Sequence, residues 1–504
     1  MSLASAWSVA LLGVDGVLVE IEADIGAGLP GLHLVGLPDA ALSESRDRIR
    51  AAVLNSGERW PERRMTLALS PATLPKVGSG YDVALAVALL AAAGTVGRER
   101  LAGTVLIGEL ALDGRLRPVR GALPAVLAAR RAGIRRVVVP SACLAEAALV
   151  DGVQVHGAAS LRDVLAWLRS PTAELEQPGP VRVAPAADVP DLADVLGQPE
   201  ARWAVEVAAA GGHHLLLTGP PGTGKTMLAQ RMVGLLPELR PEEALEVTAI
   251  HSVAGLLAPD APLLATPPFV APHHTSSVAA LVGGGSGLAR PGAVSRAHRG
   301  VLLLDEVAEF SPRSLEALRT PLEDGEVRIA RRDGVVAYPA RCQFVLAANP
   351  CPCAPPDERD CTCAPAARRR YLGRLSGPLL DRVDLRVALR PVMRMDTDGT
   401  GPESTAVVRD RVLTARCAAR ERWAGHGWSS NAEVPGPVLR GRFRVPRAVR
   451  APIEQSLRTG LLTARGADRC LRVAWTVADL AGRDRPCIED VGVALNFKDR
   501  RAAA

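Results

Sequence analysis

Eight consecutive residues, Gly219-Pro220-Pro221-Gly222-Thr223-Gly224-Lys225-Thr226, combine glycines with one lysine and one terminal hydroxyl. That combination suits a phosphate site. Gly222 and Gly224 let the backbone turn its N–H groups inward around phosphate oxygens. Lys225 is placed to reach the β- and γ-phosphates of a nucleotide, and the Thr226 hydroxyl to bind Mg²⁺. A glycine-rich turn with a chance lysine would look similar, but the context argues for the site. LLLT precedes the loop as a strand and MLAQRMVGLL follows it as a helix, whose N-terminus adds a favourable dipole. ATP and Mg²⁺ are the expected ligands.

Two further runs fit the same chemistry. GVLLLDE at 300–306 has four apolar residues in a row, as in a strand covered on both faces. It ends in Asp305, suited to the Mg²⁺ shell, and Glu306, suited to polarising an attacking water. VLAANP at 345–350 is a third apolar strand, ending in Asn349. From between the other two strands, Asn349 would sense the γ-phosphate; the alternative is an Asn that caps a loop. Cys351, Cys353, Cys361 and Cys363 form two C-x-C pairs with seven intervening residues. Four thiolates in a proline-rich loop can surround a tetrahedral zinc, or remain free or redox-active thiols. The adjacent pair His273-His274 has no third ligand nearby, which argues against a metal there.

These groups need elements that bring them together. Short apolar strands alternate with helical patterns from about 191 to 391, as in an α/β unit with a parallel sheet and crossover helices. Prolines 171, 178, 180, 185 and 190 mark 171–190 as a linker without regular helix. An N-terminal unit over 1–170 is therefore expected. The polar stretch MDTDGTGPEST breaks the chain after about 392, and 392–504 reads as mainly helical.

The composition sets outer limits. The chain has 504 residues, 60 Lys+Arg against 54 Asp+Glu, and a net charge of +6. The basic residues are almost all arginine; the lysines are Lys76, Lys225 and Lys498. Such a total says little about nucleic acid. Aromatics at 3% argue against a broad base-stacking platform. No apolar run is long enough for a membrane helix, and no signal peptide is read. The odd number of cysteines, four of them in one short loop, fits a reducing compartment, so a cytoplasmic protein is expected.

Several long stretches resemble a known family. GQPEARWAVEVAAAGGHHLLLTGPPGTGKTMLA, PHHTSSVAALVGGGSGLARPGAVSRAHRGVLLLDEVAEF, YLGRLSGPLLDRVDL and LTARGADRCLRVAWTVADLAGRD are similar to the magnesium-chelatase-like AAA+ ATPases of the YifB/ComM family. The resemblance implies a P-loop AAA+ core with a helical lid, a homo-oligomer that is usually a hexameric ring, and, in the ComM branch, branch migration of incoming DNA. It implies an arginine finger at Arg382 and a second sensor at Arg465, with Arg469 one turn on as the fallback; Asn349 matches the first sensor. The segment Glu326–Tyr338 alternates and turns at Asp333-Gly334. In related helicases such a hairpin grips DNA in the pore, which implies phosphate contacts from Arg328, Arg331 and Arg332; a solvated basic hairpin is the alternative. Residues 1–170 resemble a Lon protease domain, an α+β fold, but the serine position falls on Gly80 and the lysine position on Leu123. Peptidase activity is therefore not expected. The functional reading is an ATP-driven motor on branched or single-stranded DNA, with no membrane partner. The alternatives are a chelatase-type motor subunit or an ATP-dependent protein-remodelling scaffold.

Overall fold

Runs of apolar residues that never alternate with polar ones must be covered on both faces, and here they form one parallel sheet. Its order is Phe269–Val270, Val301–Leu304, Gln343–Ala348, Leu215–Thr218, Leu385–Ala388, and every neighbouring pair is parallel. The computed structural model describes residues 2–36, 40–185, 188–260, 262–285, 289–331, 334–356, 358–391 and 401–498. Successive side chains take opposite faces. Leu215, Leu217, Leu303 and Val345 join a core with Val205 and Leu228 from the helices Pro199–Gly211 and Lys225–Met232. Leu216, Leu302, Leu304 and Phe344 pack on the other face with Phe310, Leu315 and Leu379. Because the strands are parallel, Gly219, Asp305 and Asn349, each the residue after a strand, emerge at one carboxyl edge.

The C-terminal part is helical, with Thr405–Trp423, Arg447–Arg458, Ala464–Leu480 and Ile488–Asn496 as its main helices. Three aromatic rings cluster here. The Trp423 ring lies 4.6 Å from Phe443 and 5.8 Å from Trp475, both edge-on, a favoured arrangement. Trp423 Nε1 donates to Asn431 Oδ1 at 2.9 Å. These side chains share one continuous core with the helix Pro199–Gly211, so the lid is docked rather than tethered.

The N-terminal unit is a seven-stranded mixed sheet ordered Gly31–Val35, Arg64–Ser70, Asp15–Gly26, Ser2–Leu12, Thr104–Leu106, Arg136–Pro140, Gln154–Ala158. The helix Asp82–Ala92 is buried along its whole length against it. The described part of 171–190 carries no helix, yet it is not a loose tether. Leu175 is buried in the N-terminal core, Glu176 bridges Gly157, and Val183 bridges Leu263. The two units also touch directly. Glu146 accepts from Leu123 N at 2.8 Å and from the Ser252 hydroxyl, and Val14 packs with Val253, Ile329 and Tyr338. No described helix is long and apolar enough to cross a membrane.

Candidate nucleotide-hydrolysis site

Gly222 and Gly224 have φ of +76° and +91°, values that cost a side chain but not glycine. Gly219 is needed for space instead, since a Cβ there would lie 2.6 Å from the Leu389 carbonyl oxygen. Lys225 starts the helix that follows. Its Nζ donates to Gly219 O at 2.6 Å, Pro220 O at 2.8 Å and Asn349 Oδ1 at 3.1 Å. Burial pushes this ammonium below the usual lysine pKa, while Asp305 and Glu306 oppose the shift. The Thr223 hydroxyl donates to Pro220 O at 2.9 Å. Gln198 Nε2 ties the loop down by donating to Thr223 O and Arg390 O.

The Thr226 hydroxyl donates to Asp305 Oδ2 at 2.7 Å, so the two groups suited to Mg²⁺ already meet. Asp305 Oδ1 accepts from Glu306 N at 2.9 Å. Glu306 itself has φ +50°, a left-handed conformation of the kind that collects at functional sites. Its half-exposed carboxylate lies 3.2 Å from His274 Nδ1. A triphosphate fits this loop: nothing stands within 4 Å of a Cβ built on Gly222 or Gly224, and a lysine and a hydroxyl–carboxylate pair flank the opening.

The two arginines implied by the resemblance lie elsewhere. Arg382 and Arg465 both bind the carboxylate of Glu323, Arg465 at 2.9 Å, and Arg382 also donates to Pro378 O at 2.8 Å. They sit at the amino edge of the sheet, beside a cavity of about 650 Å³ lined by His214, Glu323, Arg341 and Asp384 among others. The phosphate loop leaves the carboxyl edge, one strand length away, which is about 13 Å for four residues. Arg465 is 52% exposed. Arg469 is buried and spent on Asp384 at 2.6 Å. Burial opposes the Asp384 charge, but Arg469, then His213 and His214, hold its carboxyl far below the usual range. Replacing Arg469 by Ala should therefore strand a buried carboxylate and cost about 3–5 kcal/mol in denaturant unfolding. Arg465→Ala should leave the unfolding midpoint nearly unchanged.

Family comparisons agree with this geometry along the chain. Models described as magnesium chelatase subunit ChlI, subunit ChlI of Mg-chelatase, and the ChlI C-terminal part match residues 191–397, 21–143 and 402–498. The protein named YifB of Escherichia coli is 42% identical over 500 residues, spanning 99% of this chain and 97% of that one. The chain belongs to the magnesium-chelatase-like AAA+ ATPases of the YifB/ComM family. The competence protein ComM of Haemophilus influenzae is 39% identical over 99% of this chain and 98% of its own length. An uncharacterized protein of Mycobacterium tuberculosis H37Rv is 63% identical over the full length of both. The Lon protease of Mycolicibacterium smegmatis is 28% identical over 180 residues, 34% of this chain and 23% of that protein. Membership in this AAA+ family implies ATP, Mg²⁺ and an oligomer.

The cysteine loop of this family member is assembled. Cys351 Sγ lies 3.4 Å from Cys353 Sγ and 3.5 Å from Cys361 Sγ, Cys353 Sγ lies 3.6 Å from Cys361 Sγ, and all four sulfurs fall within 4.8 Å. Tetrahedral zinc with Zn–S of about 2.3 Å separates its sulfurs by about 3.8 Å, so the cluster fits that metal. None of the four is in a disulfide. Burial pushes the Cys351 thiol up to about 12, while the hydrogen bond with Cys363 draws Cys353 down to about 6. These four are the only such ligand group among the described residues. His273 and His274 are not part of one; their rings lie 4.2 Å apart and tilted, and His273 Nδ1 pairs with the Thr275 hydroxyl at 2.8 Å.

The hairpin forms with a one-residue correction. Strands Glu326–Arg331 and Gly334–Pro339 pair antiparallel with Arg331 opposite Gly334. The two linking positions are thus 332 and 333, not Asp333-Gly334, because Gly334 is already the first residue of the return strand. Arg328 is exposed and paired with Glu326. Arg332 lies outside the described residues, as does the side chain of Arg331.

In the Lon-like unit, Gly80 and the buried Leu123 offer neither a nucleophile nor a base. The Ser79 hydroxyl donates to Glu109. Lys76 is buried, and its Nζ donates to the carbonyls of Leu69, at 3.1 Å, and Pro71. Neither residue serves the other. Sequence reading missed Glu323, Gln198, Glu146 and the His274–Glu306 contact. Each is one side chain meeting a distant partner, with no spacing pattern to announce it.

Proposed function

We propose that this chain is a ring motor that hydrolyses ATP at its subunit interfaces to drive branch migration or translocation on DNA. The observation that carries the ring is the position of Arg382 and Arg465. They share Glu323 at the sheet edge opposite their own phosphate loop, where they are useless in cis but can enter a neighbour's site. The relative named as a competence protein and the arginine-bearing hairpin support DNA as the track. We take residues 1–170, 171–190, 191–391 and 392–504 as the Lon-like unit, linker, motor core and lid.

In this reading the loop N–H groups and Lys225 hold the β- and γ-phosphates. Thr226 and Asp305 would hold Mg²⁺, which supplies positive charge against the phosphate oxygens. Glu306 draws a proton from the attacking water, and Asn349 orients that water. The neighbour's Arg382 stabilises charge on the transferring group, and its Arg465 reads whether the γ-phosphate is present. Turnover measured with forked, four-way and single-stranded DNA tests the reading. It should rise with at least one of them and fall back with added salt. A purified ring that hydrolyses ATP but neither binds nor moves any DNA would leave the protein-remodelling scaffold as the better account. A chelatase-type motor would instead respond to a chelatase partner.

The cysteine cluster is assigned to structural zinc. Metal analysis of the purified protein should find about one zinc per chain, lost in a Cys353→Ser, Cys361→Ser double variant with a lowered unfolding temperature. Zinc-free protein with unchanged stability would refute the assignment.

A further inference from the structure

Gly425-His426-Gly427-Trp428 follows the long lid helix Thr405–Trp423. Gly427 has φ +75°, a value that costs a side chain but not glycine, and there the chain doubles back. Trp428 thereby comes to lie on His426, with the two rings 5.0 Å apart and 13° from parallel. Trp428 is half-buried against the lid core, edge-on to Trp423 at 6.2 Å. His426 is exposed. The pair is a short ring stack, anchored at the indole and presented to solvent at the imidazole.

An arginine-rich turn borders this stack. It joins the helices Gly436–Arg440 and Arg447–Arg458. Phe443 in the turn is half-buried, its ring 6.0 Å from His426 and edge-on. The Arg442 guanidinium lies over the Phe443 ring at 5.6 Å, a cation–π contact that orients it. Between Glu433 and Glu454 the chain has five arginines and no acidic residue. Arg440 is paired with Asp468 and Arg450 with Glu454. Arg442, Arg444 and Arg447 are exposed and pair with no carboxylate among the described residues. Arginines alone would suit any anionic surface. The exposed ring beside them adds a flat apolar face, which an acidic peptide does not need and a nucleobase does, since every base has a π-face.

We infer that this face of the lid binds single-stranded nucleic acid, with a base stacked on His426 and the flanking phosphates held by Arg442, Arg444 and Arg447. The inference rests on the reading of DNA as the track and adds a second hold on it. The hairpin belongs to the motor core and this patch to the lid, so the two holds are on separate elements. One stacked base per chain needs no broad aromatic platform, in keeping with the 3% aromatic content.

The test uses the full-length protein and fluorescence anisotropy of a labelled oligothymidylate strand, set beside an abasic strand of the same length, over a range of salt. A triple variant with Arg442, Arg444 and Arg447 each replaced by Ala should bind both strands more weakly. Its slope of log affinity against log salt should fall by about 2, at about 0.7 per phosphate contact. His426→Ala should lose about 5–150-fold in affinity for oligothymidylate and nothing for the abasic strand, and His426→Phe should restore the loss. ATP turnover without DNA should stay at the wild-type value in all of these variants. Equal losses on both strands in His426→Ala, a loss confined to the arginine variant, or no loss in any variant overturns the inference and leaves the motor reading standing. Binding that depends on the patch, with no rise in ATP turnover, would sustain the inference and remove the motor reading. A wild type that binds neither strand removes both.

Discussion

Lys225→Ala should lower the ATP turnover number by about 10²–10³-fold, because it removes the charged donor that the phosphate loop's own chain aims at the developing phosphate charge. Its ammonium touches Gly219 O, Pro220 O and Asn349 Oδ1. The variant thus also uncouples the phosphate loop from the strand that carries Asn349. Glu306→Gln should reach a similar loss by a different route. The amide keeps the shape and volume of the acid but cannot take a proton from water. Nucleotide affinity should fall in the first variant and persist in the second, which parallel measurements of phosphate release and nucleotide binding would show. Turnover near the wild-type value in Lys225→Ala would remove the assigned site altogether.

Arg382→Ala should be as inactive as the lysine variant when pure, and each should partly rescue the other when mixed. An arginine finger is worth about 10³–10⁵-fold in related phosphoryl transfers. Glu323 holds both Arg382 and Arg465 at the amino edge of the sheet, whereas Lys225 lies at the carboxyl edge. In a head-to-tail ring, a site is complete when an intact loop on one subunit meets an intact finger on the next. An equal mixture of Lys225→Ala and Arg382→Ala subunits should therefore recover about a quarter of the wild-type interfaces. Mixtures that stay inactive after subunit exchange would mean that the arginine acts within its own chain or not at all. The rescue is a qualitative outcome and does not depend on the size of the single-variant losses.

The parts of this site that could be read from the sequence are those written into contiguous residues. The phosphate loop and the two strands that flank it carry spacing and unbroken apolar runs. The parallel sheet follows from them, and so does the convergence of Gly219, Asp305 and Asn349 at one edge. The choice between Arg465 and Arg469 could not be read this way. Both lie on the helix Ala464–Leu480, one turn apart, and only burial against Asp384 separates the structural arginine from the accessible one. Glu323 and His274 were hidden for a related reason, since each acquires meaning from a partner that only the fold brings near. The 171–190 segment shows the limit of composition. Its prolines exclude a helix, but Leu175 and Val183 still dock it against both units, a matter of where two cores happen to lie.

The turn between the first two strands begins at Gly13, where a Cβ would come within 2.8 Å of the Ala337 carbonyl and 2.9 Å of the Val336 side chain. A fold without its proteolytic pair is thereby pressed against the base of the hairpin assigned to DNA, and pinned nearby by Glu146 and Ser252. In the proposed reading, a load that a strand places on the hairpin would be shared with the seven-stranded sheet behind it. In that reading the sheet would act as an anvil, keeping the hairpin from yielding when a strand bears on it.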